Sequence, residues 1–159
     1  MKVFGIVGLK NSGKTYLIKK IINQLKSMNL RVASIKHAHH NFEIDKPNTD
    51  SYDHRLAGSE QVIISSPKRW AKITELNFSK EKNLNELLSE LHSPDIVIVE
   101  GYKKENHPKI EIIKDCSNSS TFLFKNINNV IAIVTDVKIN SFGHKQFSRN
   151  QFKEITKFI

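Results

Sequence analysis

The 159 residues are 38% hydrophobic and 26% charged, which suits one soluble domain spanning residues 1–159 and large enough to bury a core. No apolar run approaches the ~18–20 residues of a membrane span, the stretch 3–9 is too short for a secretory signal, and the lone Cys116 excludes an internal disulfide and fits a reducing cytoplasm. The net charge of +9 favours anionic partners, but the lysines are scattered and only four arginines occur, at positions 31, 55, 69 and 149, so neither a nucleic acid nor a membrane is expected as partner.

In chain order, KVFGIVG (2–8) is an apolar run of strand length, followed by a glycine-rich turn and then by TYLIKKIINQLKSM (15–28). That segment sets Leu17, Ile18, Ile21, Ile22 and Leu25 on one helical face. LRVASIK (30–36) reads as a strand. Residues 37–60 are rich in His, Asp, Asn and Ser and carry more polar chemistry than a connection needs, which marks a functional loop. EQVIISS (60–66) and RWAKITEL (69–76) form strands around a turn at Pro67, and NLNELLSEL (83–91) is a second amphipathic helix. DIVIVEG (95–101), PKIEIIK (108–114) and NVIAIVTD (129–136) are further strands, and the tail 147–159 places Phe152, Ile155, Phe158 and Ile159 for a terminal helix. Apolar runs without polar alternation are strands covered on both faces. The alternation of strand and helix therefore predicts an α/β fold, a mostly parallel sheet flanked by helices with a small β extension.

The glycine-rich turn satisfies GxxxxGK[ST] from Gly8 to Thr15, between a strand and a helix. Glycine permits close approach and positive φ, so successive N–H groups can converge on phosphate oxygens while the helix N-terminus adds its dipole. Gly8, Asn11, Ser12, Gly13, Lys14 and Thr15 are the candidate phosphate-binding residues, with Lys14 reaching the β and γ phosphates and Thr15 ligating Mg²⁺. The glycine spacing fails the dinucleotide pattern GxGxxG. Glu100, which ends a neighbouring buried strand, is the second acidic element. It can touch Mg²⁺, hold it through water, or polarise an attacking water. Asp136 ends another buried strand, where its two carboxylate oxygens can accept the N1 and N2 hydrogens of guanine; as a dipeptide, Thr135-Asp136 equally suits a helix cap or turn.

His37, His39 and His40 admit a zinc reading, weakened by the absence of a second half to the motif or of a cysteine pair, beside a reading as polar loop residues at the rim of a nucleotide pocket. His54 and Arg55 are placed to start a short helix. Cys116 has no adjacent base and is read as structural or incidental.

Taken together, GLKNSGKT, KHAHHNFEIDKPNTDSYDHRLAGSE (36–60), VEGYK and PKIEI resemble the MobB family of molybdopterin-guanine dinucleotide biosynthesis adaptors, in the same order over nearly the whole chain. The resemblance implies a P-loop NTPase-type fold that binds GTP with Mg²⁺ and assists a MobA-type guanylyltransferase in attaching GMP to molybdopterin. It further implies slow GTP hydrolysis, a homodimer, and molybdopterin as a possible ligand. By matching positions it puts Gly8, Asn11, Ser12, Gly13, Lys14 and Thr15 in the GTP and magnesium site, Glu100 and Gly101 in the second motif, and His37, His39, Asp45, Asp50, Ser51 and Arg55 in the histidine and aspartate signature. Two positions depart from the family pattern: Asn48 stands where KPGTDS has glycine, and Ser59 where a small alanine is frequent. Asparagine tolerates the left-handed backbone, so the turn should persist. Lys14 and Glu100 are the candidate catalytic residues, and Thr15 and Glu100 the metal ligands. A small-molecule or nucleoside kinase on the same fold, with Glu100 or Asp45 as base, is the alternative, disfavoured by the scarcity of arginine for a lid.

Overall fold

The predicted runs become five strands of one sheet, β1 (Lys2–Val7), β2 (Val32–Lys36), β5 (Ile96–Glu100), β6 (Lys109–Ile112) and β7 (Val130–Val134), and a sixth strand that the sequence does not announce, the short β8 (Lys145–Phe147), joins them. The computed structural model describes residues 1–38 and 42–159. The six strands lie in the order β2-β5-β1-β6-β7-β8 and every pairing is parallel. All carboxyl ends therefore emerge along one edge, with β1 near the centre. Between β6 and β7 the register jumps from Lys109↔Val130 to Ile110↔Ala132, which leaves Ile131 as the extra residue of a bulge.

Side chains alternate between the two faces of the sheet. On one face Phe4, Ile6, Ile98, Ile110 and Val134 meet Leu17, Ile18, Ile21 and Leu25 of helix α1 (Lys14–Ser27) and Ile155 of α4 (Phe152–Phe158). Fully burying side chains such as Ile6, Leu17 and Ile21 is worth ~1.5–3 kcal/mol each. The predicted amphipathic face of α1 is thus the face that packs. On the other face, Val97 and Val99 are covered by Leu84 and Leu88 of α3 (Leu84–Ser89). Ile133 and Val130 are covered there by Phe122 and Phe124 from the segment after β6.

This second face carries a polar stripe that no periodicity predicts. Gly5 lies opposite Lys109 and Val7 opposite Glu111, and Lys109 and Glu111 are both buried. The Lys109 ammonium donates to the carbonyls of Glu105, His107 and Asn128. Glu111 accepts from the amides of Leu123 and Phe124, each at 2.8 Å. Burial pushes the Glu111 carboxyl up and the Lys109 ammonium down. The His107 ring lies over Gly5, where a β-carbon would sit 2.5 Å from Nε2. Only glycine at position 5 leaves room for it.

Contacts divide the chain into two compact units, Met1–His37 with Leu84–Ile159, and Ala38–Asn83. The second unit holds α2 (Asp50–Leu56) and an antiparallel hairpin of β3 (Gln61–Ser66) and β4 (Arg69–Thr74), the expected β extension. The short helix starts earlier than the sequence suggested. Asp50 opens it after Thr49, and His54 and Arg55 fall in its last turn, where basic side chains suit the negative end of the dipole. Asn48 has φ 67°, the left-handed conformation expected of it.

Candidate functional site

The loop after β1 is built around backbone rather than side chains. Gly8 has φ 155°, and a β-carbon there would lie 2.6 Å from the Ile112 carbonyl oxygen and 2.7 Å from Ser12 Oγ, so the site excludes any larger residue. Asn11 takes φ 61° and Gly13 φ 101°, turning the chain so that Gly13 caps α1 without a side-chain hydrogen bond and with no acidic residue in the first turn. Among the described residues the amides of Lys10, Asn11, Gly13, Lys14 and Thr15 have no backbone acceptor. The Ser12 hydroxyl is buried and unpartnered. Unsatisfied donors at an uncompensated helix N-terminus make an anion-binding nest.

Lys14 closes this nest on itself. Its ammonium donates to the Gly8 carbonyl at 3.1 Å and the Leu9 carbonyl at 2.7 Å. Burial lowers its pKa, Lys103 and Lys36 push the same way, and Glu100 opposes them. Three lysines and one carboxylate therefore share the carboxyl ends of β1, β2 and β5. Glu100 pairs in register with Ile6 and Lys36, which sets it beside the start of the loop. Next to it Gly101 has φ 93°, and a β-carbon there would meet the His37 β-carbon at 2.9 Å. The His37 amide donates to the Glu100 carbonyl at 2.9 Å, and its ring stacks on Tyr102 with centroids 4.6 Å apart. The first signature residue and the second motif thus adjoin.

Thr15 is exposed at the start of α1; a hydroxyl and a carboxylate such as those of Thr15 and Glu100 are donors of the kind that could hold Mg²⁺, which prefers oxygen ligands and keeps several waters. His37 is described, whereas His39 and His40 lie outside the described residues; among the described residues no group of three His, Cys, Asp or Glu side chains could hold a metal.

On the other side of the loop, Asp136 follows β7. Its Oδ1 accepts from the Arg149 amide at 2.9 Å, and its Oδ2 lies 3.4 Å from Arg149 Nε. Thr135 is buried, with its hydroxyl 3.4 Å from the Cys116 thiol; that contact gives the cysteine a packing role. A cavity of about 160 Å³ flanks the loop, walled by Leu9, Asn11, Ser12, Glu111, Ile113 and Phe122.

The remaining signature residues belong to the second unit, where Arg55 organises them. It binds Asp45 through two nitrogens, at 3.0 and 2.7 Å, and Glu75 at 2.6 Å. This hydrogen bonding holds the Asp45 carboxyl below its usual range and raises Arg55. An aspartate so held is a poor general base, which removes one support of the kinase alternative. Ser51 faces Thr49, their hydroxyls 3.4 Å apart, and Asp50 occupies the first turn of α2.

Sequence reasoning missed Arg149. It follows a three-residue strand hidden in the tail, and its partners are remote in sequence; the only local signal is the polar Ser148-Arg149-Asn150 turn before α4.

A parallel sheet whose first strand passes through GxxxxGKT into a helix is the P-loop class of nucleotide-binding α/β fold. Residues 3–136 match the family described as Molybdopterin guanine dinucleotide synthesis protein B. The molybdopterin-guanine dinucleotide biosynthesis adapter protein of Escherichia coli (strain K12) is 38% identical over 131 residues, covering 81% of this chain and 75% of that protein. The protein of the same name from Haemophilus influenzae is 43% identical over 110 residues, covering 68% of this chain and 61% of its own length. A crystal structure of molybdopterin-guanine biosynthesis protein B superposes with a TM-score of 0.78 at 29% identity, covering 98% of this chain and 96% of that one. The chain belongs to the MobB family. No helix among the described residues is long and apolar enough to cross a membrane.

Proposed function

We propose that this protein is a GTP-binding adaptor of molybdenum cofactor biosynthesis, which assists a MobA-type guanylyltransferase in attaching GMP to molybdopterin. Family membership supports the pathway, and the observation that carries nucleotide binding is the nest of free amides around Gly8 and Gly13. In this reading the free amides of Lys10, Asn11, Gly13, Lys14 and Thr15 take the phosphate oxygens. Lys14 leaves the Gly8 and Leu9 carbonyls to meet the β and γ phosphates, exchanging two neutral acceptors for charged ones. Thr15 and Glu100 would hold Mg²⁺, Glu100 directly or through water, and the ion would supply positive charge against the phosphates. Asp136 receives the guanine N1 and N2 hydrogens. Hydrolysis is slow, the protein works as a homodimer in the cytoplasm, and Lys14 and Glu100 are the residues that act on the phosphates.

The test is titration of the purified chain with GTP and ATP in Mg²⁺, followed by phosphate release and by capture of the guanylyltransferase with and without GTP. GTP preference, slow release and capture are the expected results. Lys14→Ala should weaken triphosphate binding at least tenfold, ~1.4 kcal/mol. Unchanged affinity in that variant would remove the phosphate assignment.

A further inference from the structure

Arg149 sits where a cation is poorly tolerated unless something compensates it. A β-carbon at Gly13 would lie 3.8 Å from its Nη1, so the guanidinium stands against the N-terminus of α1, the positive end of the helix dipole, in a chain already carrying +9. One hydrogen bond and one ion pair hold it there. Nη2 donates to the Ile113 carbonyl at 3.0 Å, and Nε forms an ion pair of 3.4 Å with Asp136. A guanidinium has five N–H donors. Among the described residues only one of them, on Nη2, makes a hydrogen bond; the buried Nε has the charge of Asp136 nearby but no hydrogen-bond partner, while 26% of the side chain stays exposed and 59% of Asp136 does. Asp136 Oδ1 also accepts the Arg149 amide at 2.9 Å, but a carboxylate has acceptor sites beyond these contacts, so the pair offers adjacent acceptors and free donors in one patch between the phosphate loop and the end of β7. Arg149 also lies outside the residues matched by the family, which end at Asp136.

We propose that Arg149 is a guanine-specificity residue, reading the base together with Asp136. Guanine presents N1–H and N2–H donors beside the O6 acceptor. The Asp136 carboxylate takes the two donors and the Arg149 guanidinium donates to O6, as arginine does to guanine elsewhere. Adenine carries an amino donor at that position, so donor would face donor. This assignment rests on the GTP reading above and goes beyond it, because it makes selectivity depend on a residue of the β8–α4 turn.

The experiment measures the affinities of GTP, ITP and ATP in Mg²⁺ for the wild type, Arg149→Ala and Arg149→Lys, with thermal unfolding to confirm folding. ITP keeps O6 and N1–H but lacks the N2 amine. Arg149→Ala is expected to lose tenfold or more for both GTP and ITP while ATP stays within about twofold. Arg149→Lys, which keeps the charge and the fold but not the fork, should recover little of that preference. Equal losses for all three nucleotides, the mark of a phosphate contact or of a structural role, would overturn the proposal, as would unchanged binding. A wild type that binds no guanosine nucleotide would overturn the GTP reading and this one together, whereas a GTP-selective wild type with an indifferent Arg149→Ala overturns this one alone.

Discussion

Acidification should weaken the fold through His107. The ring is buried above Gly5, and burial first, then the Lys109 charge, pushes its pKa from 6.5 to about 4. Between those values the unfolded chain binds a proton that the native chain refuses. Stability is therefore full above the unfolded pKa and falls as pH drops from 6.5 towards 4. Linkage for a single site gives about 1.5 kcal/mol lost between about pH 7 and about pH 5, after allowing for some water reaching the ring. Glu111 titrates with the opposite sign, since its burial raises the carboxyl, so the wild-type curve alone mixes two effects. The difference between wild type and His107→Leu isolates the imidazole. Urea unfolding of both at the two pH values should show a steeper acid loss in the wild type by about 1–2 kcal/mol. If the two proteins lose stability in parallel, within about 0.3 kcal/mol, the ring is not held neutral by its surroundings and the account of this face is wrong.

Two further substitutions probe the site from below. Gly8→Ala would drive a methyl into the Ile112 carbonyl; it is expected to cost about 1–3 kcal/mol in thermal unfolding and to abolish measurable triphosphate binding. A variant that bound normally would show the loop to be looser than its contacts imply. Glu111→Gln leaves one of the Leu123 and Phe124 amides facing another donor, with an expected loss of about 1–3 kcal/mol and faster hydrogen exchange confined to residues 122–125. Uniform exchange across the sheet would contradict that local role.

The parts of this molecule readable in advance are those whose physics is local. Val3 to Val7 and Ile96 to Val99 are apolar without alternation because both faces of their strands are covered. Leu17, Ile18, Ile21 and Leu25 repeat at helical spacing because one face packs, and Gly8 and Gly13 stand where the backbone needs them. Other features depend on partners distant in sequence. Lys109 and Glu111 look like solvated strand residues until the carbonyl of Asn128 and the amides of Leu123 and Phe124 are brought to them. Arg149 is an ordinary surface arginine until Asp136, Ile113 and Gly13 surround it. Helix α2 begins at Asp50 rather than at His54 for a local reason: Thr49 and Asp50 carry the N-terminal signal, and the basic pair His54-Arg55 belongs to the dipole's other end.

The missing side chain at Gly5 has a consequence for how such a sequence can drift. Position 5 and position 107 occupy one volume, so neither can change freely while the other stays as it is. Alanine at 5 should be tolerated only in descendants that have already traded the imidazole for something slimmer. In distant homologues the two sites should then change as a couple, with bulk passing from one to the other.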